Sequence, residues 1–175
     1  MQYIKNIQIF IFLSIKLSFD NYFNISMFEF INKKIPNQKK ECYTGNREYK
    51  RYLDGGTDED LLQEIKKNKN LKNVHIHHLK EIKINYKINK RATQLRYRLI
   101  EGKGKALYMI GVEDNGNVDG ITMEKLLDSI DFLHKISYTI QAKIKNIRIY
   151  KGNLVDKYIC TARIYLDNYD YDYII

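Results

Sequence analysis

The chain has 175 residues, a length suited to one domain with room for a tail or an insertion. Hydrophobic residues make up 44% of it, which excludes general disorder, and two cysteines are too few for a disulfide-stapled scaffold. The formal net charge of +9 favours a polyanionic partner such as RNA or DNA.

The amino-terminal segment carries a short apolar run, residues 7–15 (IQIFIFLSI), preceded by Lys5. This outline is that of a secretory signal peptide, but the run is too short to span a bilayer and no clear cleavage site follows it. The alternative, favoured here, is that translation begins at Met27 and that residues 1–26 are a gene-model artefact, because the downstream sequence has intracellular features. We therefore predict a cytoplasmic protein without membrane contact.

Two polar stretches flank the first predicted strand. Residues 1–44 are expected to form a poorly ordered lead-in, because 27–44 are polar and basic, and the folded domain is placed at 45–170. Residues 48–53 predict a strand, and Thr57 predicts the N-cap of a short helix. The Asn/Lys-rich stretch that follows is typical of a low-complexity insertion, which we place at 54–80.

The next segment changes its hydrophobic period. Residues 81–88 (EIKINYKI) alternate between apolar and polar, which predicts a half-buried strand with Lys83 and Lys87 on its outer face. From Lys90 the period becomes helical, and Gly102 and Gly104 end the predicted helix.

Seven basic residues and a single acid lie between Lys80 and Arg98. This density favours phosphate contact without base readout, while the competing interpretation is an ordinary solvated basic face. The candidate nucleic-acid contacts are Lys83, Lys87, Arg91 and Arg98.

Residues 105–113 (KALYMIGVE) are apolar on both faces, which predicts an interior strand covered on each side. The Asn-Gly pair that follows predicts a type I′ turn and a hairpin with residues 118–121 as the returning strand. The residues expected to shape this hairpin are Gly111, Asp114, Asn115 and Gly116.

The last third predicts a helix and two strands. Thr122 is expected to cap the helix, whose apolar stripe runs from Leu126 to Ile136. A phase slip predicts a bulge near Lys145 and Asn146, and Cys160 is expected in the core of the final strand. Together these elements predict an α+β fold: a mainly antiparallel sheet with a central Asn-Gly hairpin and two or three packed helices.

No constellation in the chain predicts catalysis or cofactor binding. His75, His77 and His78 form a metal-like cluster, but no Cys or carboxylate stands at ligand spacing nearby, so no metal site is expected. Glu113 and Asp114 invite a general-acid interpretation, yet their place at a turn favours a structural role. The phosphate-binding pattern GxxxxGK[ST] does not occur in the 175 residues. We therefore predict no catalytic residue, no cofactor-binding residue and no metal ligand.

Residues 95–116 (LRYRLIEGKGKALYMIGVEDNG) resemble a stretch of the GTP-binding protein 1 and 2 family, the elongation-factor-like translational GTPases. The short segment 45–50 (GNREYK) is similar to the strand that opens the same family's N-terminal domain. The residues that carry the longer match are Leu99, Glu101, Gly102, Gly104, Tyr108, Ile110, Gly111, Val112, Glu113, Asp114, Asn115 and Gly116.

The resemblance implies an N-terminal accessory domain that supports translation through ribosome or RNA contacts and packs against a G domain. In the family, GTP and Mg²⁺ bind in that G domain, and residues 171–175 are similar to the entry of its first strand. The chain is therefore expected to be truncated before the G domain and not catalytic alone. An IGV-x-D-x-G pattern also occurs in AlbA-like domains, which implies the alternative of a stand-alone nucleic-acid-binding or regulatory module.

Overall fold

The computed structural model describes residues 28–53 and 73–166. The predictions for residues 1–27, 54–72 and 167–175, including the signal-like run and the helix capped by Thr57, lie outside the described residues. The elements are β1 (Phe28–Lys34), β2 (Arg47–Lys50), α1 (Asn73–Glu101), β3 (Lys105–Ile110), α2 (Met123–Thr139), β4 (Lys143–Lys151) and β5 (Tyr158–Tyr165).

The strands form one five-stranded sheet in the order β1-β4-β5-β3-β2. Strands β1 to β4 run in one direction, and β5, between β4 and β3, runs in the opposite direction. The predicted α+β class is confirmed, and the sheet is mixed rather than purely antiparallel, with two antiparallel and two parallel strand pairs. The physical reason is that β2–α1–β3 and β3–α2–β4 are strand–helix–strand connections, which bring the chain back in the same direction.

The strand predicted over residues 81–88 is wrong, because these residues belong to the 29-residue helix α1. Three of the alternating apolar side chains stay exposed, so their alternation marks no buried sheet face: Ile82, Ile84 and Tyr86. The same helix also contains residues 73–80 of the segment predicted as an insertion. Its packing against the core involves Ala92, Leu95 and Leu99, where the helical period predicted it, and also Ile88, which lies in the segment predicted as a strand.

Helix α2 follows its sequence prediction closely. Thr122 is the N-cap, and its side chain accepts a hydrogen bond from the backbone N–H of Lys125. The predicted apolar stripe is buried, and it contributes Leu126, Leu127, Ile130, Leu133 and Ile136.

Strands β4 and β5 are also as predicted. Their register shifts between Lys145 and Arg148, and Asn146 has a positive φ of 55°, which confirms the predicted bulge. Cys160 is fully buried on β5 and has a free thiol, as expected of core filler.

The Asn-Gly turn forms at the predicted place but with a different geometry. Gly116 has a φ of 92°, whereas Asn115 does not have a positive φ, so the turn is not type I′. Instead, Gly116 donates its N–H to the carbonyl of Glu113 at 2.8 Å, and Glu113 donates to Asn117 at 3.0 Å. The following residues form no strand with β3, whose neighbours are β5 and β2. The predicted central hairpin is therefore replaced by a turn at the end of β3.

The predicted lead-in also contains structure that the sequence analysis missed. Residues 28–34 form the edge strand β1, which pairs in parallel with β4. Phe28 and Phe30 pack against the core on the helix-covered side of the sheet. This packing stabilises the strand, which the polar composition of residues 27–44 did not indicate.

The sheet is covered differently on its two faces. On one face α1, α2 and the apolar residues of β3, β4 and β5 form the larger core. On the other face a smaller cluster lies beneath loops, and its members are Tyr49, Met109, Val112, Val118 and Ile159. Part of this cover is the segment after β1, where Gln38 and Glu41 donate their N–H groups to the carbonyls of Gly116 and Asp114.

Candidate functional site

The four predicted contact residues all lie on α1, and their spacing places them on one side of it. Lys83, Lys87 and Arg91 are four residues apart, and Arg98 follows seven residues later. Because a helix repeats every 3.6 residues, side chains at these intervals form a single stripe. The structure thus brings the four residues together on one helix, although their surroundings differ along it.

The first three residues of the stripe are half-buried. The guanidinium of Arg91 donates to the side-chain oxygen of Gln94 at 3.0 Å, and Lys83 and Lys87 also make interactions within the protein. More exposed cations stand on other sides of the helix at Lys90 and Arg96. The side chains of Lys83, Lys87 and Arg91 are therefore only partly accessible to solvent.

Arg98 is a correction to the sequence analysis, because it is buried and fully engaged inside the protein. Its side chain is 7% exposed. Its Nε donates to Oε2 of Glu48 at 2.6 Å, and its Nη2 donates to Oε1 of Glu41 at 2.8 Å. Its Nη1 donates to the backbone carbonyls of Cys42, Tyr43 and Gly45. Arg98 thus joins α1 to β2 and to the loop before it, and it is not placed to contact a phosphate.

Glu48 is the centre of this buried cluster. It is fully buried on β2, and it also accepts a hydrogen bond from Gln94 and pairs with the ammonium of Lys50. Burial by itself raises the pKa of Glu48, but the hydrogen bonds from Lys50 and Arg98 and their positive charges outweigh it and hold the pKa below its usual value. A carboxylate in this setting stays ionised, as a buried charge must when it is paired.

Two further groups complete the surroundings of the cluster. Burial, and next the negative charge of Glu48, raises the pKa of Glu41. The hydroxyl of Tyr108 is buried on β3, and it has no hydrogen-bond partner among the residues that the structure describes. Burial and then the charge of Glu48 raise the pKa of Tyr108, so this hydroxyl remains protonated.

A second set of contacts joins the end of α1 to the start of β2. Glu101 accepts a hydrogen bond from the backbone N–H of Gly45. This bond, followed by the one from the hydroxyl of Tyr97, lowers the pKa of Glu101. Any side chain on Gly102 would collide with its surroundings, because a Cβ there would lie 1.8 Å from the carbonyl oxygen of Lys105 and 2.5 Å from Cβ of Asn46. Glycine at 102 is therefore required for this approach.

The two segments that carry the family resemblance, 45–50 and 95–116, meet at these contacts. Glu48 and Lys50 come from the first segment, and Arg98, Glu101 and Gly102 come from the second. Sequence reasoning missed this junction. The signals were present: Arg98 adjoins the core position Leu99, and Glu48 lies next to the buried Tyr49 in a short strand. In this chain the residues of the two segments that meet here make packing contacts and ion pairs with one another.

The predicted turn residues also have structural roles. A Cβ on Gly116 would lie 2.1 Å from the carbonyl oxygen of Gln38, and one on Gly111 would lie 2.8 Å from that of Tyr158. Asp114 and Asn115 are exposed at the tip of the turn. Glu113 lies 3.8 Å from Arg51, an ion pair on the surface. These positions give Glu113 and Asp114 contacts that serve the turn.

Residues 28–53 and 73–166 contain no group of three or more His, Cys, Asp or Glu residues that could hold a metal ion. His75, His77 and His78 lie in the first turns of α1 and not on a strand, and the side chains of His75 and His77 are not described.

Within residues 28–53 and 73–166, no helix is both long enough and apolar enough to cross a membrane.

Comparison with known proteins gives partial matches. The chain is similar to GTP-binding protein 2 of Mus musculus and of Homo sapiens, each 40% identical over 63 residues, which are 36% of this chain and 10% of the relative. It is also similar to an uncharacterized protein of Acanthamoeba polyphaga mimivirus, 35% identical over 68 residues, which are 38% of this chain and 37% of that protein. No protein-family model matches the chain, and no solved structure matches it.

The matched region thus spans about a tenth of the length of the mammalian relatives. The partial match supports a relationship to the GTP-binding protein family. This is the same family that residues 95–116 resemble. The assignment to the N-terminal domain stays a prediction.

Proposed function

We propose that this chain is an N-terminal accessory domain of an elongation-factor-like GTP-binding protein, acting in the cytoplasm and supporting translation through ribosome or RNA association. The observation that carries the proposal is the 63-residue match to GTP-binding protein 2, found in a chain whose sequence contains no GxxxxGK[ST] pattern. GTP and Mg²⁺ would bind in a neighbouring G domain against which this domain packs.

The junction around Glu48 supports an accessory role over a catalytic one. Its ionisable groups have partners within the protein: Glu48 pairs with Lys50 and Arg98, and Glu101 accepts a hydrogen bond from the backbone N–H of Gly45. A buried ion pair that is fully hydrogen-bonded holds the fold together and offers no group for a substrate. Residues that resemble the family therefore stabilise a domain here, and the chemistry of the family belongs to its G domain.

The proposed RNA contact uses the basic stripe of α1, without Arg98. Lys83, Lys87 and Arg91 share one side of the helix and are half-buried. Lysine and arginine side chains on one helix face bind phosphates without reading bases, and binding of this kind weakens with salt.

The direct test of the accessory role is to sequence the transcript through and beyond the codon for Ile175. We expect the reading frame to continue into a strand and a GxxxxGK[ST] loop, which supplies the G domain. A stop codon directly after Ile175 in the mature transcript would exclude the GTP-binding role for this product.

The test of the α1 stripe is the salt dependence of binding to a duplex RNA. Each phosphate contact contributes about 0.9 to the slope of log affinity against log salt. We expect the double variant Lys87→Gln/Arg91→Gln to reduce the slope by about 1.8. The matched control is Lys90→Gln/Arg96→Gln, which removes the same charge from exposed positions of the same helix. Equal slopes for both variants, or a flat profile for the unmodified chain, would contradict contact through the stripe.

The second candidate is a stand-alone AlbA-like nucleic-acid-binding or regulatory module. One observation favours it: the matched residues are 37% of the mimivirus relative but only 10% of GTP-binding protein 2, so the mimivirus relative is a much shorter protein. A relative of this size matches a module better than it matches a large GTP-binding protein. The stop codon that would exclude the first proposal is the result expected for this one.

A further inference from the structure

The face of the sheet that carries no helix has two rows of cations at one end. Residues paired across neighbouring strands lie on the same face, so the register defines the rows. In the first row Lys143 of β4 faces Tyr165 of β5, which faces Lys105 of β3. In the second row Lys145 faces Arg163, and Leu107 and Arg47 continue the row across β3 and β2.

This end of the face is open. Arg47, Lys105, Lys145 and Arg163 are all exposed, whereas Tyr49 and Met109, further along β2 and β3 on the same face, are buried beneath the loops. Lys143 already interacts with another group in the protein and is not part of this set. We call the four exposed cations together with Tyr165 the basic sheet patch. Neighbouring strands are about 4.8 Å apart, so Lys145 and Arg163 lie on adjacent strands at about this spacing, and Arg47 lies two strands beyond Arg163.

The arrangement is unfavourable for the isolated protein. Lys145 and Arg163 are directly opposite each other on adjacent antiparallel strands, and neither row contains an acid. Like charges in this position destabilise a sheet. An anion that binds between the two side chains neutralises both charges and so removes the repulsion between them.

An aromatic ring lies within the patch. Tyr165 is half-buried, and the ammonium of Lys145 lies 5.3 Å from the centre of its ring. Bases of single-stranded nucleic acids stack on aromatic side chains, while neighbouring cations follow the phosphates. The patch combines both types of group on a sheet surface.

We propose that the basic sheet patch binds single-stranded RNA, with Arg47, Lys105, Lys145 and Arg163 along the phosphates and Tyr165 against a base. The charge and the ring indicate a single-stranded polynucleotide, and the choice of RNA over DNA rests on the proposed function. An acidic protein segment would use the cations but would leave the exposed part of the ring without a stacking partner. The patch is separate from the α1 stripe, which lies on the helix-covered side.

The test measures binding of the full chain to a fluorescently labelled 12-nucleotide RNA without secondary structure, by fluorescence anisotropy at several salt concentrations. We expect Lys145→Gln/Arg163→Gln to weaken binding at least tenfold at low salt and to reduce the salt slope by about 1.4, since each contact with a single strand contributes about 0.7. We expect Tyr165→Leu to weaken binding by about fivefold or more, as stacking requires. The control Lys90→Gln/Arg96→Gln has the same charge change, and Tyr86→Leu removes an exposed tyrosine elsewhere; each should change affinity less than twofold.

Several outcomes would overturn the inference. Equal losses in the patch pair and in its control would mean that only net charge matters. Loss of binding in Lys87→Gln/Arg91→Gln with full binding in the patch pair would assign single strands to α1 and leave the proposed function intact. Equally tight binding of poly-glutamate, or of the same sequence as DNA, would overturn the choice of RNA. If the unmodified chain binds no single-stranded RNA at low salt, the patch proposal fails, while the transcript test still decides the proposed function.

Discussion

The two faces of the sheet use arginine in opposite ways. On the helix-covered face, Arg98 is buried and donates to two carboxylates and three backbone carbonyls. On the helix-free face, Arg163 is exposed and faces Lys145 across the β4–β5 pair. The first arginine is part of the fold, and the second is an exposed cation that lies opposite another cation in the strand register. The comparison shows that the same residue type occupies two different environments in this chain, one buried among acceptors and one exposed opposite a cation.

The largest expected effect comes from breaking the buried ion pair. Arg98→Met leaves Glu48 buried with Lys50 as its remaining cationic partner, and we expect the free energy of unfolding to fall by about 3 kcal/mol. Urea denaturation measures this change. Adding Glu48→Gln to the Arg98→Met variant should restore part of the loss, because it removes the uncompensated charge. Arg96→Ala, an exposed arginine of the same helix, should change stability by less than about 0.5 kcal/mol. If Arg96→Ala and Arg98→Met lowered the free energy of unfolding equally, the prediction that the buried arginine contributes more to stability than the exposed one would be wrong.

The second largest expected effect concerns the loops that cover part of the helix-free face. In Gly116→Ala the new Cβ would lie 2.1 Å from the carbonyl oxygen of Gln38, at a φ of 92°. We expect a loss of about 2 to 3 kcal/mol, because strain and collision add together. The matched control is Gly45→Ala, where φ is 98° and no atom lies within 4 Å of the added Cβ. The control should cost about 1 kcal/mol from strain alone. A larger loss at Gly45 than at Gly116 would show that the loop cover is not packed as described.

A third effect is a pH dependence on the helix-covered face. Burial lowers the pKa of His134 to about 4, against a slight opposing effect of Asp131. The unfolded chain therefore binds this proton near pH 6.5 and the folded chain does not, so stability is full above that pH and is lost as the pH falls towards 4. Between pH 7.5 and pH 5 the contribution of His134 should fall by about 2 kcal/mol.

The comparison that isolates this contribution is His134→Gln. Urea denaturation of both proteins at the two pH values should show that the variant lacks about 2 kcal/mol of the pH-dependent loss. Both chains contain the same carboxylates, so the difference between the two profiles reports on His134 and its immediate surroundings. Identical pH profiles would mean that His134 is accessible to protons in the folded state.

The smallest expected effect is a gain in stability, and it concerns Arg163. Arg163→Gln removes one of two facing cations, so the free energy of unfolding should rise by about 0.2 to 1 kcal/mol at low salt. The gain should disappear near 1 M salt, where the Debye length is about 3 Å. The control is Arg148→Gln on the same face, because Nε of Arg148 donates to Oε2 of Glu29 at 2.8 Å. This control should be neutral or slightly destabilising. A destabilised Arg163→Gln would show that Arg163 has a favourable partner and would weaken the case for a bound anion.

The prediction from sequence was most accurate where local patterns and tertiary environment agree. The α2 stripe, its Thr122 cap and the bulge at Lys145 and Asn146 were all foreseen, because each depends on neighbours within a few residues. It failed over residues 81–88, where apolar residues alternate but Ile82, Ile84 and Tyr86 remain exposed on a helix. A short alternation does not identify a strand when no partner strand is present to bury one of its faces.

The sequence by itself determined that the chain has an α+β fold, that it lacks the phosphate-binding pattern of a GTPase, and that it carries excess positive charge. Only the tertiary structure decided where that charge acts. Arg98 and Arg163 are indistinguishable by composition, and both follow apolar residues. The difference arises because Glu48, 50 positions away, is paired with the first, whereas strand register places Lys145 opposite the second. Long-range pairing of this kind is a property of the folded chain, since no local pattern encodes which distant residue will face a given side chain.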